Sequence, residues 1–331
     1  MKKNVVLCHR LPEDLLARLQ ALYTVTVFPD GITPAAAARF ETALADADGL
    51  IVPAIPRVDV NRDLLAKAPK LRSVATISVG YDHCDVAALT ERNITLTHTP
   101  AVLVDTTADA AFSLVLATAR RIVELGSMVK AGKWTQHLGA GHFGINVHHK
   151  TIGIVGMGRI GKALAQRARG FDMEVVYTGP SRKPDAEQTY GARYLSLEAL
   201  LAESDFVCLT LQPSEKTRNL ISREQLSLMR SSAVLINISR GFVVDEEALV
   251  EALQNKTIHA AGLDVFATEP LPQTSPLMLL ENVVLLPHIG SATGETRYGM
   301  MDCAVGNMIA ALEGTLQDNC VNSELLQVKA L

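Results

Sequence analysis

Six short apolar runs between residues 151 and 286 constrain the fold of this chain more than any other feature. They are Thr151 to Val155, Glu174 to Tyr177, Phe206 to Leu211, Ala233 to Ile238, Ala260 to Val265 and Val283 to Leu286. The runs are apolar throughout rather than alternating, and helical patterns separate them. Strands covered on both faces read this way, and strands joined through helices form a parallel sheet. A similar series precedes it, at Asn4 to Cys8, Thr24 to Phe28, Gly49 to Pro53, Arg72 to Ile77 and Ile94 to Thr97. The expected fold is α/β with two doubly wound parallel sheets, and 331 residues give room for two domains. One long helix, from about Asp105 to about Lys130 with Gly132 as its stop, separates the two series. Another spans Ser291 to Gly314; having no strands of its own, it is expected to pack back on the first domain.

Composition narrows the partners. The formal net charge of -4 offers no broad positive field for nucleic-acid phosphates, so no nucleic acid is expected. No stretch reaches the ~18 apolar residues of a membrane span, and Val5-Val6-Leu7 is too short for a signal core. The expected location is cytoplasmic. Five scattered cysteines lack metal-ligand spacing, and His148-His149 has no nearby Cys or acidic ligand to complete a set, so no metal is expected.

Gly156-Met157-Gly158-Arg159-Ile160-Gly161 follows a predicted strand and opens a helix. In that context the first glycine allows a tight turn, the second lets the backbone approach a pyrophosphate, and the third lets helix and strand pack closely. An acidic residue that would hold a ribose 2′-hydroxyl belongs at the end of the next strand. Tyr177-Thr178-Gly179 stands there, followed by Ser181-Arg182-Lys183. Two cations that can meet a 2′-phosphate favour NADPH, with NADH possible but weaker.

In open α/β sheets ligands bind beyond the carboxyl ends of the strands. Those places hold Arg240, Asp264, Glu269 and His288. A guanidinium fork matches the carboxylate of a 2-oxo acid and polarises its keto oxygen, which suits Arg240. The alkoxide formed by hydride arrival needs a proton near neutrality, which suits the His288 imidazole, with Glu269 favouring its protonated form.

These segments, together with Ile77-Ser78-Val79-Gly80-Tyr81-Asp82, Asn237 to Gly241, Gly262 to Phe266 and Pro287 to Thr293, resemble the D-isomer-specific 2-hydroxyacid dehydrogenases. Within that family the chain looks most like glyoxylate/hydroxypyruvate reductases and bacterial 2-ketogluconate reductases. The resemblance implies a catalytic Arg240, Glu269 and His288, with the Val79 and Gly80 amides holding the substrate carboxylate. It places Asp264 near a nicotinamide and adds cofactor contacts from Thr107, Arg159, Ile160, Leu211, Pro213, Ile238, Gly290 and Ser291. It implies a flavodoxin-like substrate domain made of residues 1–103 and 290–331, around a Rossmann cofactor domain over 104–289. It also implies a homodimer, in which Trp134 to Gly144 forms an arm toward the partner's substrate site. Phosphite oxidation is disfavoured because Val79 stands where phosphite enzymes carry Lys, and formate oxidation because Glu269 is not an amide. Fold-sharing corepressors add long tails, for which the seventeen residues after Gly314 are few.

Overall fold

The computed structural model describes residues 2–327. Two compact units divide the chain: Met1–Leu103 with Thr293–Leu331, and Val104–Ala292.

The first unit carries β1 (Asn4–Leu7), β2 (Thr24–Val27), β3 (Gly49–Pro53), β4 (Ser73–Ile77) and β5 (Thr95–Thr97). They lie in the order β2-β1-β3-β4-β5, all parallel, which is the flavodoxin-like winding. The helix Gly294–Glu313 packs on β3, β4 and β5. Beyond it the chain returns to β5, where the Val321 amide donates to Leu96 O at 2.7 Å and the His98 amide to Asn319 O at 3.0 Å. The Asn322 side chain accepts from the Leu96 amide and donates to Ile94 O, both at 2.9 Å.

The second unit carries β6 (Thr151–Val155), β7 (Glu174–Thr178), β8 (Arg193–Tyr194), β9 (Phe206–Leu209), β10 (Val234–Asn237), β11 (Ala260–Leu263) and β12 (Val283–Leu285). Their order is β12-β11-β10-β9-β6-β7-β8, again all parallel, and the winding reverses between β6 and β9. Neighbouring strand residues serve different cores. Ile152, Ile154, Cys208 and Ile236 join one apolar cluster, while Val155, Val207, Leu209 and Leu235 join another. With both faces covered, apolar residues fill most strand positions, hence the nearly unbroken runs.

Two details differ from expectation. The edge strand β8 is two exposed residues with no apolar run to announce it. The single helix expected over 105–130 is two helices, Val104–Ala119 and Ile122–Lys130. The Ala119 carbonyl is taken by the Ile145 amide at 2.8 Å, and Arg121 turns into the left-handed region with φ 55°. There its guanidinium holds Glu124 and the Gly141 carbonyl, so a distant segment ends the first helix. None of the second helix is buried, and Ile122, Val123 and Val129 expose apolar side chains, as do Trp134, Leu138 and Phe143 just after it. Among the described residues no helix is long and apolar enough to cross a membrane.

Candidate active site

β10, β11 and β12 lie side by side, with Asn237 level with Leu263 and Leu263 level with Leu285. Whatever leaves their carboxyl ends is gathered on one edge of the second unit. Arg240 leaves β10, Asp264 and Glu269 follow β11, and His288 follows β12.

The closest pairing is His288 Nδ1 with Glu269 Oε2, at 2.7 Å. The other carboxylate oxygen, Oε1, accepts the Phe266 amide at 3.0 Å, so both are occupied. Burial opposes ionisation of Glu269, but the His288 hydrogen bond and charge, the Phe266 amide and the Arg240 charge outweigh it. Its pKa therefore lies below the ordinary carboxylate value. With Nδ1 on the carboxylate, Nε2 is left as the nitrogen that can meet a substrate.

Backbone contacts that the sequence did not announce aim these side chains. Asn237 accepts the Ser239 amide at 3.0 Å and donates to Arg240 O at 2.9 Å, closing a turn around the arginine. Gly241 lies against the loop that carries Glu269; a Cβ there would stand 1.8 Å from the Phe266 carbonyl carbon. Asp264, only 1% exposed, accepts the Ile289 amide at 2.7 Å and the Gly290 amide at 2.8 Å. Burial raises the Asp264 pKa, with these two amides opposing the rise. The carboxylate thus fixes the backbone immediately after His288, whose φ is 56°. A Cβ on Gly290 would sit 3.2 Å from Asp264 Oδ2 and 3.4 Å from Thr107 Cγ2, so Thr107 joins this corner.

The glycine turn lies at the carboxyl end of β6. Gly156 has φ +105°, and a Cβ there would reach within 2.5 Å of Leu211 Cα, bringing two expected cofactor contacts together. A Cβ on Gly161 would lie 2.4 Å from Gly156 O, whereas Gly158 has nothing within 4 Å of where a Cβ would stand. The first and third glycines are filled by protein, and the second opens onto free space at the start of the helix Arg159–Arg169. That is the arrangement a dinucleotide pyrophosphate needs, so these residues fit the group. Arg159 is exposed and Ile160 half-buried in the first turn of that helix. Ile238 is buried, while Pro213 and Ser291 are half-buried beside Leu211 and Gly290 in the chain.

The Gly156 amide donates to Thr178 O at 2.9 Å, so the turn after β7 adjoins the glycine turn. Lys183 Nζ reaches Ser181 Oγ at 3.1 Å. Arg182 binds Glu187 through Nε at 3.0 Å and Nη2 at 2.6 Å. Glu187, ten residues past Tyr177 in the helix Pro184–Tyr190, is a partner of this turn that strand-end reasoning missed. Val79 and Gly80 belong to the first unit, where Ser78 Oγ donates to Gly80 O at 2.6 Å and His98 Nδ1 lies 3.0 Å from Val79 O. Among the described residues no group of three or more His, Cys, Asp or Glu could hold a metal ion.

Residues 112–290 match the model of the D-isomer specific 2-hydroxyacid dehydrogenase, NAD binding domain. Over 328 residues the chain is 56% identical to a glyoxylate/hydroxypyruvate reductase B of Serratia proteamaculans, covering 99% of this chain and all of that one. A crystal structure of a Thermus thermophilus protein superposes with a TM-score of 0.88 at 40% identity, covering 96% of this chain and 99% of that one. An NADPH-dependent glyoxylate/hydroxypyruvate reductase of Sinorhizobium meliloti, solved with NADP and malonate, gives a TM-score of 0.85 at 30% identity, with 97% of each chain covered.

Proposed function

Because the chain belongs to the D-isomer-specific 2-hydroxyacid dehydrogenase family, we propose that it reduces small 2-oxo acids to D-2-hydroxy acids, preferring NADPH, with glyoxylate, hydroxypyruvate and 2-ketogluconate as candidate substrates. The observation that carries this reading is the 2.7 Å His288–Glu269 pair on the same sheet edge as Arg240.

A bound reduced nicotinamide supplies the hydride. The Gly156, Gly158 and Gly161 turn would hold its pyrophosphate, and Leu211, Pro213, Ile238, Thr107, Gly290 and Ser291 would add further contacts. Arg240 holds the substrate carboxylate and polarises the keto oxygen, interacting more strongly as negative charge develops there. Within the first unit, the main-chain amides of Val79 and Gly80 are proposed as donors to a substrate carboxylate. His288 Nε2 delivers a proton to the developing alkoxide, and the Glu269 carboxylate on Nδ1 orients the ring for that transfer. Asp264 serves by holding the His288–Gly290 backbone in place. Arg182, Lys183 and Ser181 receive the 2′-phosphate that distinguishes NADPH from NADH.

The proposal extends to a cytoplasmic homodimer. The apolar surface of Ile122 to Phe143 supports the second copy, since side chains such as Trp134 at 59% and Phe143 at 67% exposure favour a covering partner. Steady-state rates for the three acids, each with NADPH and with NADH, test the function. Efficient turnover of at least one acid, faster with NADPH, is expected; negligible turnover of all three would overturn it and favour a nicotinamide-sensing role.

A further inference from the structure

We propose that Glu187, anchored by the buried Tyr177 hydroxyl, is a specificity-determining residue that positions Arg182 for the cofactor 2′-phosphate. The inference rests on the NADPH reading above and adds the device that enforces it.

Tyr177 is fully buried on β7, one residue before Thr178, whose carbonyl holds the Gly156 amide. Its hydroxyl donates to Glu187 Oε1 at 2.7 Å and accepts the Lys183 amide at 2.6 Å. One phenol therefore fixes both the backbone of the basic turn and the carboxylate that grips Arg182. The arginine side chain is 67% exposed, against 22% for Glu187. An exposed arginine left alone spreads over many rotamers, and a ligand that recruits it must supply the ordering. Here the ordering is done in advance. Glu187 engages Nε and Nη2, leaving both Nη1 hydrogens for an incoming phosphate.

A carboxylate beside a phosphate site also acts in the opposite sense, by cancelling part of the guanidinium charge, and the two effects predict opposite outcomes. If positioning dominates, Glu187→Ala raises the KM for NADPH roughly tenfold, the factor one lost charge-assisted hydrogen bond carries, with kcat little changed. The NADH constants stay within about twofold in the same variant, so they also report that the fold is intact. Tyr177→Phe should move the NADPH KM the same way. Glu187→Gln keeps one acceptor and should fall between wild type and alanine.

The deciding measurement is a double-mutant cycle on the ratio of kcat/KM for NADPH to that for NADH. Glu187→Ala should have no further effect in an Arg182→Ala background, because it works only through that guanidinium. Additive effects, an unchanged ratio in Glu187→Ala, or a ratio that rises would each overturn the inference, the last by making Glu187 a competitor for Arg182. If Arg182→Ala itself leaves the ratio unchanged, the NADPH reading fails and this inference falls with it. A loss in Arg182→Ala without one in Glu187→Ala removes only the positioning role.

Discussion

Glu269→Gln is the sharpest probe of the proposed proton donor. In the wild type one carboxylate oxygen takes the Phe266 amide at 3.0 Å while the other lies 2.7 Å from His288 Nδ1. Glutamine has the same length but one acceptor oxygen. If that oxygen stays on Phe266, its NH2 faces Nδ1, and a protonated imidazole, which donates from both nitrogens, has no acceptor there. A hydrogen bond between charged groups is worth about 1.5 to 3 kcal/mol, or about 10- to 150-fold in rate if it is needed to keep the acid protonated. The two side chains are 26% and 29% exposed, so water replaces part of the loss and the lower half of that range applies. The expected fall in reductive kcat is therefore about 10- to 40-fold, less than the 10² to 10⁴ of losing a general acid outright in His288→Ala. The assay is kcat for glyoxylate reduction under saturating NADPH from about pH 5 to 9, after a burst experiment shows that chemistry rather than product release limits the rate. Superimposable profiles of equal height would refute the reasoning.

The same substitution has a stability signature. Since the folded pKa of Glu269 is depressed, its contribution is present above the unfolded carboxylate pKa of about 4.3 and lost as pH falls through the lower folded value. The Tm gap between wild type and Glu269→Gln should accordingly be widest near neutrality and close in acid. Arg240→Lys should raise the substrate KM and lower kcat, as an ammonium lacks the planar fork; wild-type kinetics would remove Arg240 as the clamp. Gly241→Ala forces the backbone away from Phe266 and should cost about 3 kcal/mol or more, visible in thermal melts. Gly158→Ala, with open space before it, should melt like wild type yet bind cofactor more weakly in a fluorescence titration. For the dimer, Val123→Asp with Phe143→Asp should shift the sedimentation of the protein toward the monomer, and an unchanged sedimentation coefficient would place the interface elsewhere.

Most of the sheet architecture is legible in the residues themselves, because a strand packed on both faces has few polar positions and stands out from its helical neighbours. The proposed catalytic trio is legible for a related reason: parallel winding puts every strand's carboxyl end on one edge, so Arg240, Glu269 and His288 are gathered by topology. What escapes are effects imposed from far along the chain. Nothing in Arg120-Arg121 resembles a helix stop, and the break depends on the Ile145 amide reaching the Ala119 carbonyl. β8 needs only two edge residues and buries neither. Glu187 reads as an ordinary helix-surface acid until Tyr177 and Arg182 are seen to meet it. Asn237 carried a readable hint, since asparagine at a strand end bonds the backbone two residues on.

The first unit is assembled from both ends of the chain, whereas the second is one continuous stretch. As the chain emerges from the ribosome, the strands of the first unit are made earliest, but the helix that covers β3 to β5 and the Asn319–Asn322 segment that bonds to β5 are made last. The second unit holds all of its own strands by Ala292 and is free to fold while its neighbour still waits. During that interval the early sheet is half covered, with an unpaired edge of the kind that invites wrong partners. A chain cut after Ala292 would thus leave the earlier-made unit incomplete and the later-made one with all of its strands.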